Sequence, residues 1–169
     1  MMHRLFAAFA LIALLTPARA DCMRACLSTT LTSADDDLAM RDGLRTCRDT
    51  CVAGETEALK AAGALERYAD CRPAPLSLEE FRALRSGNPS FTVQSNVLVW
   101  ELTNVLPNKV IRRVEIGTQT MSLSEAAFTT RTLILPGGTG TVVVMDFFDG
   151  YPNARYAGKL TRVEACDVR

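Results

Sequence analysis

Apolar positions follow two different periods along this chain, and the change falls near residue 90. Between residues 21 and 70 the spacing is helical. Met40, Leu44, Cys47 and Cys51 fall at i, i+4, i+7 and i+11, which is one face of a helix. Cys22, Cys26 and Thr30 make a matching stripe upstream. The segment between them, Thr32-Ser33-Ala34-Asp35-Asp36-Asp37, reads as a solvated helix start. Ser33 is the expected N-cap, with Asp36 in the first turn, where the helix dipole favours negative charge. Gly54 is placed to end or bend the second helix. A further amphipathic stretch, Glu55 to Ala69, carries Leu59, Leu65 and Tyr68. It stops at Asp70-Cys71-Arg72-Pro73-Ala74-Pro75, where two prolines mark a boundary. Ser77-Leu78-Glu79-Glu80 is a capping-box pattern that opens a short helix, LEEFRALR, stopped by Gly87-Asn88-Pro89.

From Phe91 onward, short runs rich in Val, Ile, Thr and Phe alternate with turn residues. VLVWELTN (97–104) sets Leu98, Trp100 and Leu102 on one face, which makes Trp100 a core residue. KVIRRVEIG (109–117) follows Leu106-Pro107-Asn108. AFTTRTLIL (127–135) leads into Pro136-Gly137-Gly138, suited to a tight turn with positive φ. TVVVMDFF (141–148) is almost continuously apolar and predicts a central strand buried on both faces. Asp149-Gly150 turns the chain, and GKLTRVEAC (158–166) returns. With Phe91–Val93 and a short piece near Thr120–Leu123, this gives six or seven strands at sandwich spacing.

The first twenty residues stand outside both patterns. His3 and Arg4 precede an apolar stretch, Leu5 to Leu15, too short to span a bilayer. Pro17 breaks it, and Ala18-Arg19-Ala20 offers small residues for a signal peptidase. The expectation is a secretory signal, residues 1–20, cleaved after Ala20, and a periplasmic or secreted bacterial product. Asp21 before Cys22 argues against lipidation of that cysteine. Removing the signal leaves 149 of 169 residues, with 17 basic and 19 acidic side chains and a net charge of −2. No concentrated positive field suggests nucleic acid as a partner. No stretch after the signal is apolar enough to span a membrane. The only histidine is His3. The mature chain therefore lacks an imidazole for Ser-His-Asp or Cys-His catalysis and for His-ligated metals.

Six cysteines in an exported chain read first as a disulfide framework. Cysteines four apart on one helix point too nearly parallel to bond each other. Bonds must then cross between helices. An antiparallel hairpin turning near Asp36 brings Cys26 to Cys47 and Cys22 to Cys51. Cys71 and Cys166 remain, bracketing the β-rich half. Two other readings of the twin Cys-x3-Cys stay open. Soft thiolates select copper(I), with Met23 and Met40 nearby in sequence. A redox centre normally shows Cys-x-x-Cys at a helix N-terminus, a motif absent here. The twin Cys-x3-Cys pattern of residues 22–51 resembles the helical hairpins of small mitochondrial intermembrane-space chaperones, which carry the same inner and outer disulfides. The spacer here, twenty residues, is longer than theirs. In the β half, WELTNVLPNKVIRRVEI and LILPGGTGTVVV resemble small bacterial Ig-like domains of the FxLYD type, without the Leu-Tyr-Asp element itself. That resemblance implies a non-enzymatic module.

The expected fold class is therefore α+β. A disulfide-stapled antiparallel helical hairpin (21–70) is followed by a linker with a short helix (71–90) and an Ig-like antiparallel β-sandwich (91–169). The sequence holds no phosphate-binding Gly-x4-Gly-Lys loop and no Gly-x-Ser-x-Gly elbow, so no enzyme activity and no cofactor are expected. Asp146, Asp149 and Glu164 read as turn and edge residues rather than a catalytic carboxylate set. The loop DGYPNARYAG (149–158) is the leading recognition candidate, through Tyr151, Arg155 and Tyr156. The alternative is that its tyrosines pack over the end of the sandwich with Pro152. Three functions follow. The first is an envelope binding or scaffold module for a protein or cell-envelope ligand. The second is a thiol-based copper(I) or redox protein. The third is a periplasmic holdase chaperone.

Overall fold

The computed structural model describes residues 19–32, 36–68, 71–94, 96–148, 150 and 155–168. Helix α1 (Arg19–Thr30) and helix α2 (Asp37–Ala61) form the hairpin, and α3 (Leu65–Tyr68) is a single turn. Next come β1 (Ala74–Pro75) and α4 (Leu78–Gly87). The remaining strands are β2 (Thr92–Gln94), β3 (Val97–Thr103), β4 (Lys109–Gln119), β5 (Glu125–Ile134), β6 (Thr139–Val144) and β7 (Lys159–Asp167).

The hairpin is stapled twice. Cys22–Cys51 and Cys26–Cys47 join α1 to α2 with Cα separations of 6.0 and 5.6 Å, the pairs an antiparallel hairpin requires. Thr30 Oγ1 lies 3.7 Å from both sulfurs of the inner bond. Two sequence expectations are corrected here. The N-cap of α2 is Asp36, whose carboxylate accepts the Ala39 N–H at 2.8 Å, while Ser33 lies outside the described residues. Helix α2 also runs straight through Gly54, because a lone glycine costs only about 1 kcal/mol in a helix otherwise held by packing. It stops at Gly63 instead, which takes φ +64°. There the Gly63 N–H bonds Lys60 O and the Ala64 N–H bonds Leu59 O, the two crossing bonds of a Schellman motif. Ala64 packs by Leu59, supplying its apolar contact.

The strands form two antiparallel sheets, in the orders β1-β7-β4-β5 and β2-β3-β6. The chain crosses between sheets at β1–β2, β3–β4, β5–β6 and β6–β7, the Greek-key wiring of an Ig-like sandwich. Their inner faces meet in one core of Leu98, Trp100, Leu102, Ile116, Val142 and Leu160, among others. Leu84 of α4 is fully buried in that core, so the short helix plugs one flank of the sandwich. The expected central strand is corrected: β6 is at the edge of its sheet and ends at Val144. It is buried on both faces because the hairpin lies on its outer side. Met23, Leu44 and Cys47 pack there on Val97 and Val143. The expected strand piece at Thr120–Leu123 is the turn between β4 and β5, with Leu123 at φ +63°. The two-residue β1 in the presumed linker, paired to Ala165 and Glu164 of β7, has no apolar run that would announce it.

Two buried amides fasten the end of the sandwich near α4. Asn104, fully buried, donates to Lys109 O at 2.7 Å and Ile134 O at 3.0 Å and accepts the Leu106 N–H at 3.1 Å. Asn88 donates to Leu84 O and Thr103 O and accepts the Thr103 N–H at 2.7 Å. Cys71–Cys166, 6.0 Å between Cα atoms, ties the segment after α3 to β7.

Candidate functional site

The outer faces of the two sheets differ in what covers them. The α4-end of the four-stranded sheet is sheltered by Leu59, Leu65 and Tyr68, packed on Val110 and Leu133. Beyond that patch the outward residues of β7, β4 and β5 are mostly charged or hydroxylic, the small Gly117 and Ala127 aside. They line a groove of about 320 Å³ formed by Arg113, Glu115, Thr129, Arg162 and Glu164.

Glu164 organises it. The residue is 9% exposed, yet its carboxylate holds two guanidinium groups. Arg113 Nη1 donates to Oε2 at 2.8 Å, and Arg162 Nη2 forms an ion pair with Oε1 at 2.7 Å. Burying a carboxylate is costly unless it is paired and hydrogen-bonded, and here both oxygens are engaged. Glu115 accepts the Thr161 hydroxyl at 2.7 Å. In register, Arg131 of β5 stands directly opposite Arg113, and Thr129 stands opposite Glu115. At the rim Lys159 pairs with Glu125 at 2.9 Å.

A second, shallower groove of about 350 Å³ runs along β2 and β3, lined by Ser90, Phe91, Thr92, Val99, Trp100 and Glu101. Phe91 meets the Trp100 ring edge-on at 5.9 Å between centroids. Trp100 is 3% exposed, and its indole N–H has no hydrogen-bond partner among the described residues. Glu101 is tied to Arg24 of α1 at 3.5 Å.

Of the recognition loop, Tyr151 lies outside the described residues. Arg155 is exposed and Tyr156 half-buried, and neither lines either of these two grooves. Gly158 at the loop's end lies so close to the core that a Cβ there would sit 2.7 Å from Phe91 Cζ. Asp146 and Glu164 do not meet: Asp146 follows β6 and pairs with Arg41 of α2, while Glu164 faces out of the other sheet. Asp149 lies outside the described residues. The Arg/Glu face is absent from the sequence expectations. Its signal was present as polar residues two apart on three strands, Arg113-x-Glu115, Thr129-x-Arg131 and Arg162-x-Glu164.

Among the described residues, no group of three or more His, Cys, Asp or Glu is arranged to hold a metal ion, and no helix is long and apolar enough to cross a membrane. No protein-family model, no curated protein and no solved structure matches the chain.

Proposed function

We propose that this chain is an exported, non-enzymatic envelope protein that works by binding. The charged outer face of β7, β4 and β5 is the surface that meets its partner, a protein or a cell-envelope ligand. The observation that carries this reading is Glu164 clamping Arg113 and Arg162 on an uncovered sheet face. A buried acid that fixes two arginines builds an ordered recognition surface, and Arg is prominent at binding hot spots. Three disulfides are compatible with an oxidising compartment such as the periplasm or the exterior.

The copper or redox reading requires thiolates, and all four hairpin sulfurs are bonded. The holdase reading requires an open apolar groove, and the hairpin spends its apolar face on Val97 and Val143.

Two measurements test the proposal. The first is expression with the leader in a bacterial host, fractionation, alkylation without reduction and intact mass. The expected product is periplasmic, lacks residues 1–20 and carries no alkylated cysteine. Four alkylated thiols would reject the staple and return the thiol reading. The second is cross-linking in the native envelope, with Arg162→Glu and Tyr156→Ala as variants. A specific adduct lost only in Arg162→Glu supports the sheet face. Loss only in Tyr156→Ala moves recognition to the loop.

A further inference from the structure

We propose that the groove between β7, β4 and β5 is a phosphate site, taking the phosphate monoester group of a small molecule. This rests on the binding-module reading and names the ligand chemistry for the same face. Five N–H donors fan from each guanidinium in a fixed plane. Glu164 accepts one from Arg113 and ion-pairs with Arg162, which anchors both guanidiniums while leaving most of their donors without a protein acceptor among the described residues. Arg131 stands directly across from Arg113, and no carboxylate pairs with it among the described residues. Like charges directly opposite on neighbouring strands destabilise a sheet. An anion lodged between the two would turn that repulsion into attraction for both. The local balance is three arginines against Glu115 and Glu164, a surplus of positive charge on a chain with equal numbers of basic and acidic residues.

Shape and donors fit the same ligand. The groove is lined by Thr129, whose hydroxyl makes no hydrogen bond among the described residues. Its volume of about 320 Å³ is at the small end for ligand pockets, enough for a phosphoryl group and a short substituent. A carboxylate presents two oxygens in one plane. A phosphate presents three terminal oxygens in a tetrahedron, which matches the Arg113 and Arg162 guanidiniums and the Thr129 hydroxyl that line the groove, with Arg131 at the register position beside Arg113.

The test is an NMR titration of the mature, disulfide-bonded chain with glycerol phosphate, at constant ionic strength set by chloride. Saturable shifts are expected at Arg113, Thr129, Arg131 and Arg162. Arg131 is exposed, so Arg131→Gln should fold normally and weaken binding by about five-fold or more. Arg162→Lys keeps the charge but loses the fork, and should weaken binding by a similar factor of about five. Lys159→Gln removes a charge outside the groove and should change affinity less than about two-fold. Shifts no larger than chloride produces would overturn the proposal, as would equal affinity in Arg131→Gln. Binding to vesicles containing phosphatidic acid without binding glycerol phosphate would also overturn it, since it would assign the face to a membrane surface. If phosphate fails while Arg162→Glu still abolishes the envelope adduct, the binding-module reading stands without this ligand.

Discussion

On the outer face of the three-stranded sheet the outward positions include Val97, Val99, Val143 and the following Met145. On the four-stranded sheet they include Arg113, Glu115, Thr129, Arg131 and Glu164. The two sheets share one core and differ in this outward set. An apolar outward set has to be covered, and the stapled hairpin is that cover. A charged outward set has to be paired or solvated, and it remains open to a ligand. The stapled hairpin is thus a lid on the three-stranded sheet, Leu59, Leu65 and Tyr68 shelter only the α4-end of the four-stranded sheet, and the recognition surface we propose lies beyond that shelter.

The largest effects should come from cutting the bonds that hold these layers. Cys71–Cys166 closes 95 residues, and on the chain-entropy model Cys71→Ser/Cys166→Ser should cost about 4 to 5 kcal/mol. The inner hairpin bond closes 21 residues, and Cys26→Ser/Cys47→Ser should cost about 3 kcal/mol. The character of the loss should differ too. Removing both hairpin bonds should uncover Val97 and Val143 while the sandwich stays folded, read as binding of an apolar dye before the main denaturant transition. A single transition with no dye binding would mean that the lid and the sandwich are one cooperative unit.

A sharper version exchanges single residues between the faces. Val143 is 2% exposed beneath the hairpin, and Val143→Ala should cost about 2 kcal/mol in a urea melt. Arg131→Ala on the open face should stay within about 0.5 kcal/mol. Equal costs at the two positions would show that the open face contributes to stability, and would undercut the case for a ligand there. Asn104→Ala should cost about as much as Val143→Ala, roughly 2 to 3 kcal/mol. It leaves the carbonyls of Lys109 and Ile134 and the Leu106 N–H without their partner.

The lidded half was far more legible in the sequence than the open face. Helical periodicity and two Cys-x3-Cys pairs placed symmetrically about Asp36 point to a hairpin and its bonds with no long-range information. The strand runs were legible for the same reason, since alternation is local. Order within a sheet is not local. The apolar run at 141–148 fits a strand central to its sheet and a strand under a lid equally well, and nothing in those eight residues distinguishes the cases. The groove needs still more. Arg113, Arg131 and Arg162 become neighbours only once β4 lies between β5 and β7, in a register that includes a bulge between Ile111 and Arg113. Gly54 misled because a glycine ends a helix only where the chain needs a positive φ, and that need arises at Gly63.

The smallest expected effect lies at the end of the sandwich, on neither face, and it checks that the two faces are energetically separate. Glu80 closes the capping box of α4, accepting the Ser77 N–H at 2.9 Å and the Ser77 hydroxyl at 2.8 Å. Lys109 bridges from it to Asp167, at 3.5 and 2.8 Å. The Ser77 backbone bond is the largest influence holding the Glu80 carboxyl below its ordinary value of 4.5. The hydrogen bond to Asp167 is the largest one holding Lys109 above 10.5. A depressed acid stabilises the fold above its unfolded pKa, and that contribution is lost as pH falls through the folded value. A raised base stabilises below its unfolded pKa and loses that contribution as pH rises through the folded value. Glu80→Gln should therefore lower stability at pH 7 by about 0.5 kcal/mol or less, since the cluster is partly solvated. The difference from wild type should vanish as pH falls below the Glu80 carboxyl's depressed folded value. Sites without shared partners add. The same small difference should then appear in the chain lacking both hairpin disulfides, and a difference that grows or disappears there would couple α4 to the lid.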